Sequence, residues 1–322
     1  MKIHLPNSAF IGNIDYFIAN YFDPSNPDRL EISANKKWVS IHPVVLSMIA
    51  ALSLIADPKK VRCEPIEAKS GHYLDRMGLF NFLRVNQNSN ISEHESAGRF
   101  IPLKQIKNSK ELTTFLTDMI PLLHLPQKPA ESIRYVVSEL VRNVLEHSES
   151  RNGAILCAQY FKKSNTIRIG IVDTGVGIKQ TINQSHRATT DLEAIRLALT
   201  PGITGTTRRE GGTEQNAGAG LFFIKSIAYV NRNFFMLYSG NALYKLLMRN
   251  PKNKRLVLHA DPFRDRYSIK DNLPKWQGTV VGMDISLDAT SEFRSLLNLI
   301  GETYHEAIKE RRKARYKKAR FV

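Results

Sequence analysis

The chain has 322 residues, 42% hydrophobic and 9% aromatic, with 46 Lys and Arg against 30 Asp and Glu. These values exclude a disordered or collagen-like polymer and leave enough chain for two units that each bury a core. Two distant cysteines, Cys63 and Cys157, exclude a disulfide scaffold and point to a reducing cytoplasm. The formal charge of +16 is uneven, because residues 305–322 hold eight basic and two acidic side chains.

Residues 1–7 contain no apolar run before Pro6, so a secretory leader is not expected. Short strands are predicted at 30–33 and 38–41. Pro43 then opens an apolar helix over 44–56, about 13 residues, whereas a membrane span needs roughly 20. Asp57-Pro58 ends that helix, a strand follows at 61–66 and a helix at 71–83. Together these make a small α/β unit over 1–98, closed by a polar loop at 86–98. Residues 99–127 read as a linker with a helix at 111–123, and 126–129 as a break.

From 128 to 290 the pattern is stronger. Residues 130–146 form a periodic helix with Ile133, Val136, Val137, Leu140, Val141 and Val144 on one side. Strands at 154–161 and 166–172 flank the turn residues Lys163, Ser164 and Asn165, which predicts an antiparallel hairpin. A helix at 191–200, a Gly/Thr-rich loop at 201–218 and an apolar helix at 221–230 come next. Strands are then expected at 234–238, 243–248, 256–259 and 279–287. From 291 the chain is a basic helix or tail. Over 305–322 its charge runs round nearly every side, so it is expected to stay out of the core. It would then be solvated, docked on an acidic protein, or bound to nucleic acid.

Four patterns carry chemistry. Glu139, Asn143 and His147 lie at i, i+4 and i+8, one polar stripe on the helix. A solvated face fits that stripe, although Asn is a poor helix-interior residue. The strand ending at Val172 runs into Asp173-Thr174-Gly175-Val176-Gly177. A carboxylate there could accept a hydrogen bond from an exocyclic amine such as adenine N6, and the glycines would admit a flat base; a tight turn explains the same residues. Asn216-Ala217-Gly218-Ala219-Gly220 precedes a helix, where backbone N–H groups favour phosphate or simply form a connection. Last, Gln277-Gly278-Thr279 starts a strand.

In this order, the patterns resemble the GHKL ATPase superfamily, the ATP-binding domain of the DNA gyrase B subunit, sensor histidine kinases and anti-sigma-factor serine kinases. The resemblance covers residues 128–288. It implies a two-layer α/β sandwich of the Bergerat type, ATP and Mg²⁺ as ligands, and specific roles. Asn143 would hold Mg²⁺ that bridges the nucleotide phosphates, and Glu139 would orient or deprotonate the attacking group. Asp173 would read adenine beside Gly175 and Gly177; Gly218 and Gly220 would face phosphate; Thr279 would sit near the base. Gly205 and Thr206 have the character of the family's lid, but the lid's length before Gly218 departs from the pattern. His147 fits a packed helix-end histidine as well as a ligand contact. His94 and His124 lack the context of a phospho-accepting histidine.

Residues 1–98 resemble a STAS-type regulatory domain through the 38–41 strand, His42-Pro43, the 44–56 helix and residues 73–80, with Ser40 and Ser47 near the strand-to-helix turn. The expectation is a cytoplasmic, Mg-dependent ATP-binding and ATP-hydrolysing switch that acts on a protein partner, with a homodimer compatible and no membrane association. The alternatives are an anti-sigma-type serine kinase and a module that binds nucleotide without turnover.

Overall fold

The computed structural model describes residues 1–20, 29–68, 70–85, 100–119, 127–205, 219–248, 256–288 and 293–317. Near its start, Lys2–Leu5 (β1), Leu30–Ala34 (β2) and Val61–Cys63 (β3) pair in parallel in the order β1-β2-β3, with Ile14–Ala19 (α1) and Pro43–Ile55 (α2) between them. The start of α2 is well specified: Pro43 fills the first helical position and the His42 ring caps it by accepting the Val44 N–H at 3.1 Å. Every residue from Pro43 through Ser53 is buried. A helix apolar on all sides needs neighbours on all sides.

Many of its neighbours come from beyond residue 98. After Gly71–Arg76 (α3) and Leu79–Leu83 (α4), the chain enters a seven-stranded antiparallel sheet. Its strands are Phe100–Ile106 (β4), Ala154–Phe161 (β5), Thr166–Val172 (β6), Phe235–Gly240 (β7), Ala242–Leu246 (β8), Tyr267–Lys270 (β9) and Trp276–Ser286 (β10), in the order β4-β5-β6-β10-β7-β8-β9. Alternate side chains divide between two cores. Leu156 of β5, Ile169 and Ile171 of β6, and Val281 and Met283 of β10 face helices Gln127–His147 (α6), Gly220–Val230 (α9) and Phe293–Lys317 (α10). Ile155, Cys157, Val172 and Val280 face α2 and the first sheet. Short helices Ser109–Thr114 (α5), Ile178–Asn183 (α7) and Asp191–Ala198 (α8) complete the α6 side.

The fold is thus mixed α/β around a large antiparallel sheet, with helices on both faces where the sequence reading expected one. The reason is visible in the strands: β5, β7 and β8 carry apolar residues at consecutive positions, as strands buried on both faces do. The segment 1–98 likewise shares its core with the sheet instead of closing one of its own.

Further local differences have local causes. The expected 38–41 strand is a single parallel bridge, Ala9 to Ile41, with Trp38 56% exposed. The 71–83 helix divides at Gly78, whose φ of +78° breaks the helix. β4 lay in the expected linker; Pro102 hid it, and that proline sits on an edge strand where the register with β5 slips. The edge place beside β8 belongs to β9, not to 256–259. The C-terminal expectation also fails over 305–311. Tyr304, Ala307 and Ile308 of α10 are buried in the core, and Arg311 donates to the Pro201 carbonyl. Residues at i, i+3 and i+4 form an apolar stripe that the dense charge obscured. Among the described residues no helix is long and apolar enough to cross a membrane.

Candidate functional site

On the α6 face, a cavity of about 330 Å³ opens between α6, the end of β6, α7, the 203–205 segment and the start of α9. Pockets for small molecules run from about 300 to 1,000 Å³. Of the residues singled out in the sequence, Glu139, Asn143, His147, Asp173, Gly177, Gly205, Gly220 and Thr279 line it. Gly175 does not. Thr206 and Gly218, with Arg208 and Arg209 of the same loop and His94 and His124 upstream, lie outside the described residues.

The polar stripe on α6 is possible because the opposite face is fully committed: Ile133, Val136, Val137, Leu140 and Val141 are buried against the sheet. Glu139 and Asn143 are half-buried and make no hydrogen bond to any described residue. Burial raises the Glu139 carboxyl, Arg142 opposes the rise and Glu146 adds to it. The carboxylate lies against the first residue of α9: a Cβ at Gly220 would come within 2.1 Å of Glu139 Oε1. Glycine there lets the helix start approach the acid.

Asp173 ends β6 with 1% of its surface exposed. Burial pushes its carboxyl up to about 7, against hydrogen bonds from the Gly175 N–H and from the hydroxyl and N–H of Thr279. The Gly175 bond measures 2.8 Å. Burial thus moves a carboxyl that lines the cavity toward neutral pH.

Ser148, Trp276 and Ser239, which the sequence did not single out, help to fix this turn. The Val176 N–H donates to the Ser148 carbonyl at 2.7 Å, which ties the turn to the residue after α6. Gly175 permits that contact, since its Cβ would meet the same carbonyl at 1.9 Å. Gly175 thus packs against the residue that follows α6. Trp276 Nε1 donates to the Asp173 carbonyl at 3.0 Å from the α2 face of the sheet, and Gln277 Nε2 donates to the Gly175 carbonyl at 2.7 Å. Ser239 accepts the Ile178 N–H at 3.0 Å and donates to the Gly278 carbonyl at 2.7 Å. These links join strands distant in sequence, so no local pattern could mark them.

α9 is anchored from behind. Lys225, 1% exposed, reaches Asp265 at 2.5 Å and the His259 carbonyl at 3.2 Å. Burial lowers the Lys225 ammonium and raises the Asp265 carboxyl, and the pair offsets both trends. Among the described residues no three His, Cys, Asp or Glu side chains converge on a point that could hold a metal ion.

No protein-family model matches the chain, and neither does any curated protein sequence.

Proposed function

We propose that the cavity binds an adenine nucleotide with Mg²⁺ and that the chain is a GHKL-type ATPase with a Bergerat-type core, its segment 1–98 a STAS-like partner-sensing layer. The observation that carries this reading is convergence. Glu139, Asn143, Asp173, Gly220 and Thr279 come from four parts of the sequence and line one cavity. The donor set suits the ligand. Asp173 and Thr279, paired across adjacent strands, offer an acceptor and a hydroxyl to a base at the deep end. Asn143 offers an amide oxygen with no partner among the described residues, and the start of α9 at Gly220 offers backbone N–H groups toward phosphate. Mg²⁺ would neutralise phosphate charge and share phosphate oxygens with the Asn143 amide. Glu139 is the proton acceptor. Its raised carboxyl lies closer to neutral pH than an ordinary glutamate, which makes it a better general base toward water or a protein hydroxyl.

The test is a titration of the full chain with ATP, ADP and GTP, with and without Mg²⁺, followed by phosphate release. Asn143→Ala should abolish Mg-dependent ATP binding and keep the fold, while Glu139→Gln should bind ATP and lose turnover. Equal affinity for ATP and GTP, or Mg-dependent binding unaltered by Asn143→Ala, would remove the reading. Binding without phosphate release or transfer in the wild type would make the chain a non-hydrolytic module.

A further inference from the structure

A second polar cluster lies on the α2 face of the sheet, remote from the cavity. Cross-strand register sets Phe100 beside Gln159, Gln159 beside Arg168 and Arg168 beside Asp284, a row across β4, β5, β6 and β10. These positions alternate with Ile101, Ala158, Ile169 and Met283 of the α6 core, so the row faces α2 and α3. It crosses β6 five residues before Asp173, or about 16 Å along the strand.

α3 covers the row. Its end is pinned to β4 by the Leu103 N–H donating to the Met77 carbonyl at 2.9 Å. Tyr73 and Arg76, three residues apart, share the inward side of this helix. The Arg76 guanidinium lies 4.9 Å from the Phe100 ring centre. The Arg168 guanidinium lies 4.0 Å from the Phe161 ring centre and 4.4 Å from that of Phe10, in the corner formed by two rings that meet edge to face.

What this cluster lacks is acceptors. Arg76 Nε, Arg168 Nε and the Tyr73 hydroxyl are buried, and none has a hydrogen-bond partner among the described residues. The one carboxylate of the row, Asp284, stands 3.7 Å from Arg168 and is already bonded to His42 Nε2 at 3.1 Å. His42 adds no charge: its Nδ1 accepts the Val44 N–H, so the proton is on Nε2, and burial lowers its pKa. Arg168 therefore shares this carboxylate with His42, while Arg76 lies over Phe100 at the other end of the row. A buried donor without an acceptor costs about 1–3 kcal/mol, so an arrangement of several is a site for something that accepts. Arg168 keeps 18% of its side chain exposed, which leaves the cluster open to solvent on one side.

We propose that Tyr73, Arg76, Gln159 and Arg168 form a second ligand site that binds a phosphate group, free or as the terminal group of a small molecule. A tetrahedral phosphate presents several acceptors at once and matches the edges of two guanidinium forks and a phenol better than a planar carboxylate does. The phenylalanine rings at the rim suit an aromatic phosphate ester as well as the free ion.

The experiment measures unfolding midpoint and calorimetric binding of the full chain against inorganic phosphate, phenyl phosphate and, at matched ionic strength, acetate. Saturable binding of inorganic phosphate or phenyl phosphate is expected, at least tenfold tighter than acetate; the tighter of the two tells a free ion from an esterified one. Tyr73→Phe removes one donor without changing shape. It should raise the midpoint of the ligand-free protein and weaken phosphate binding at least tenfold, and Arg76→Gln should weaken it similarly. Asn143→Ala should leave the phosphate response intact, because it alters the other face. Absence of saturable binding, equal binding of acetate, an unchanged response in both Tyr73→Phe and Arg76→Gln, or loss of the response in Asn143→Ala would each overturn the assignment.

Discussion

Asp173→Asn tests the candidate site through stability as well as binding. The carboxyl is pushed up to about 7 by burial from an ordinary 3.8. As pH rises, the unfolded chain releases this proton near pH 4 and the folded chain keeps it to about pH 7. Between those limits the folded state binds more protons, so stability falls as pH rises. At about 1.4 kcal/mol for each pH step, the loss over the window is about 4 kcal/mol, and it is complete above pH 7. Asparagine has no such titration. Its carbonyl can still accept the Gly175 N–H, while its NH₂ faces the Thr279 donors and forfeits about 1–2 kcal/mol. The variant should therefore be close to wild type or slightly weaker at pH 4 and about 2 kcal/mol more stable at pH 8. Urea unfolding of both proteins across this range measures the difference, and other titrations cancel in it. Nucleotide binding gives the companion readout. If the ionised carboxylate accepts an exocyclic amine, wild-type affinity for ATP should rise up to tenfold from pH 6 to pH 8, and Asp173→Asn should bind weakly without that dependence. A stability difference constant within about 0.5 kcal/mol from pH 4 to pH 8 would refute the argument that burial controls this carboxyl.

Two further outcomes follow from the packing. Lys225→Met leaves Asp265 buried without its partner and should destabilise the protein by about 3–5 kcal/mol in chemical denaturation, while Lys225→Met with Asp265→Leu should recover most of the loss. Arg311→Ala removes a charge-assisted bond to the Pro201 carbonyl beside the cavity-lining 203–205 segment, so it should destabilise by about 1–3 kcal/mol and weaken nucleotide binding. Removal of 315–322 should do neither, and a binding assay on both proteins checks the contrast.

The sequence by itself determined the elements whose signals are local. The hairpin over 154–172 follows from two apolar runs around turn residues, and α6 from a 3.6-residue period. α2 follows from Pro43 and a run that is apolar except at Ser47 and Ser53. The polar stripe on α6 and the turn at Asp173 were legible for the same reason, since each is a short pattern within one element. Only the tertiary structure decided which face of each strand meets which helix. It set α2 against β5, β6 and β10, made Pro102 an edge residue and gave the charged helix α10 a buried stripe. It also decided the depth of Asp173, its partners Trp276 and Thr279, and the ties that Ser148 and Ser239 make to the turn after it. The alignment of Gln159, Arg168 and Asp284 came from the same source. Register between strands and packing between layers are set by contacts across long stretches of chain, and a residue's burial depends on all of them together. A pattern of neighbours in sequence carries the period of an element, but not the identity of what covers it.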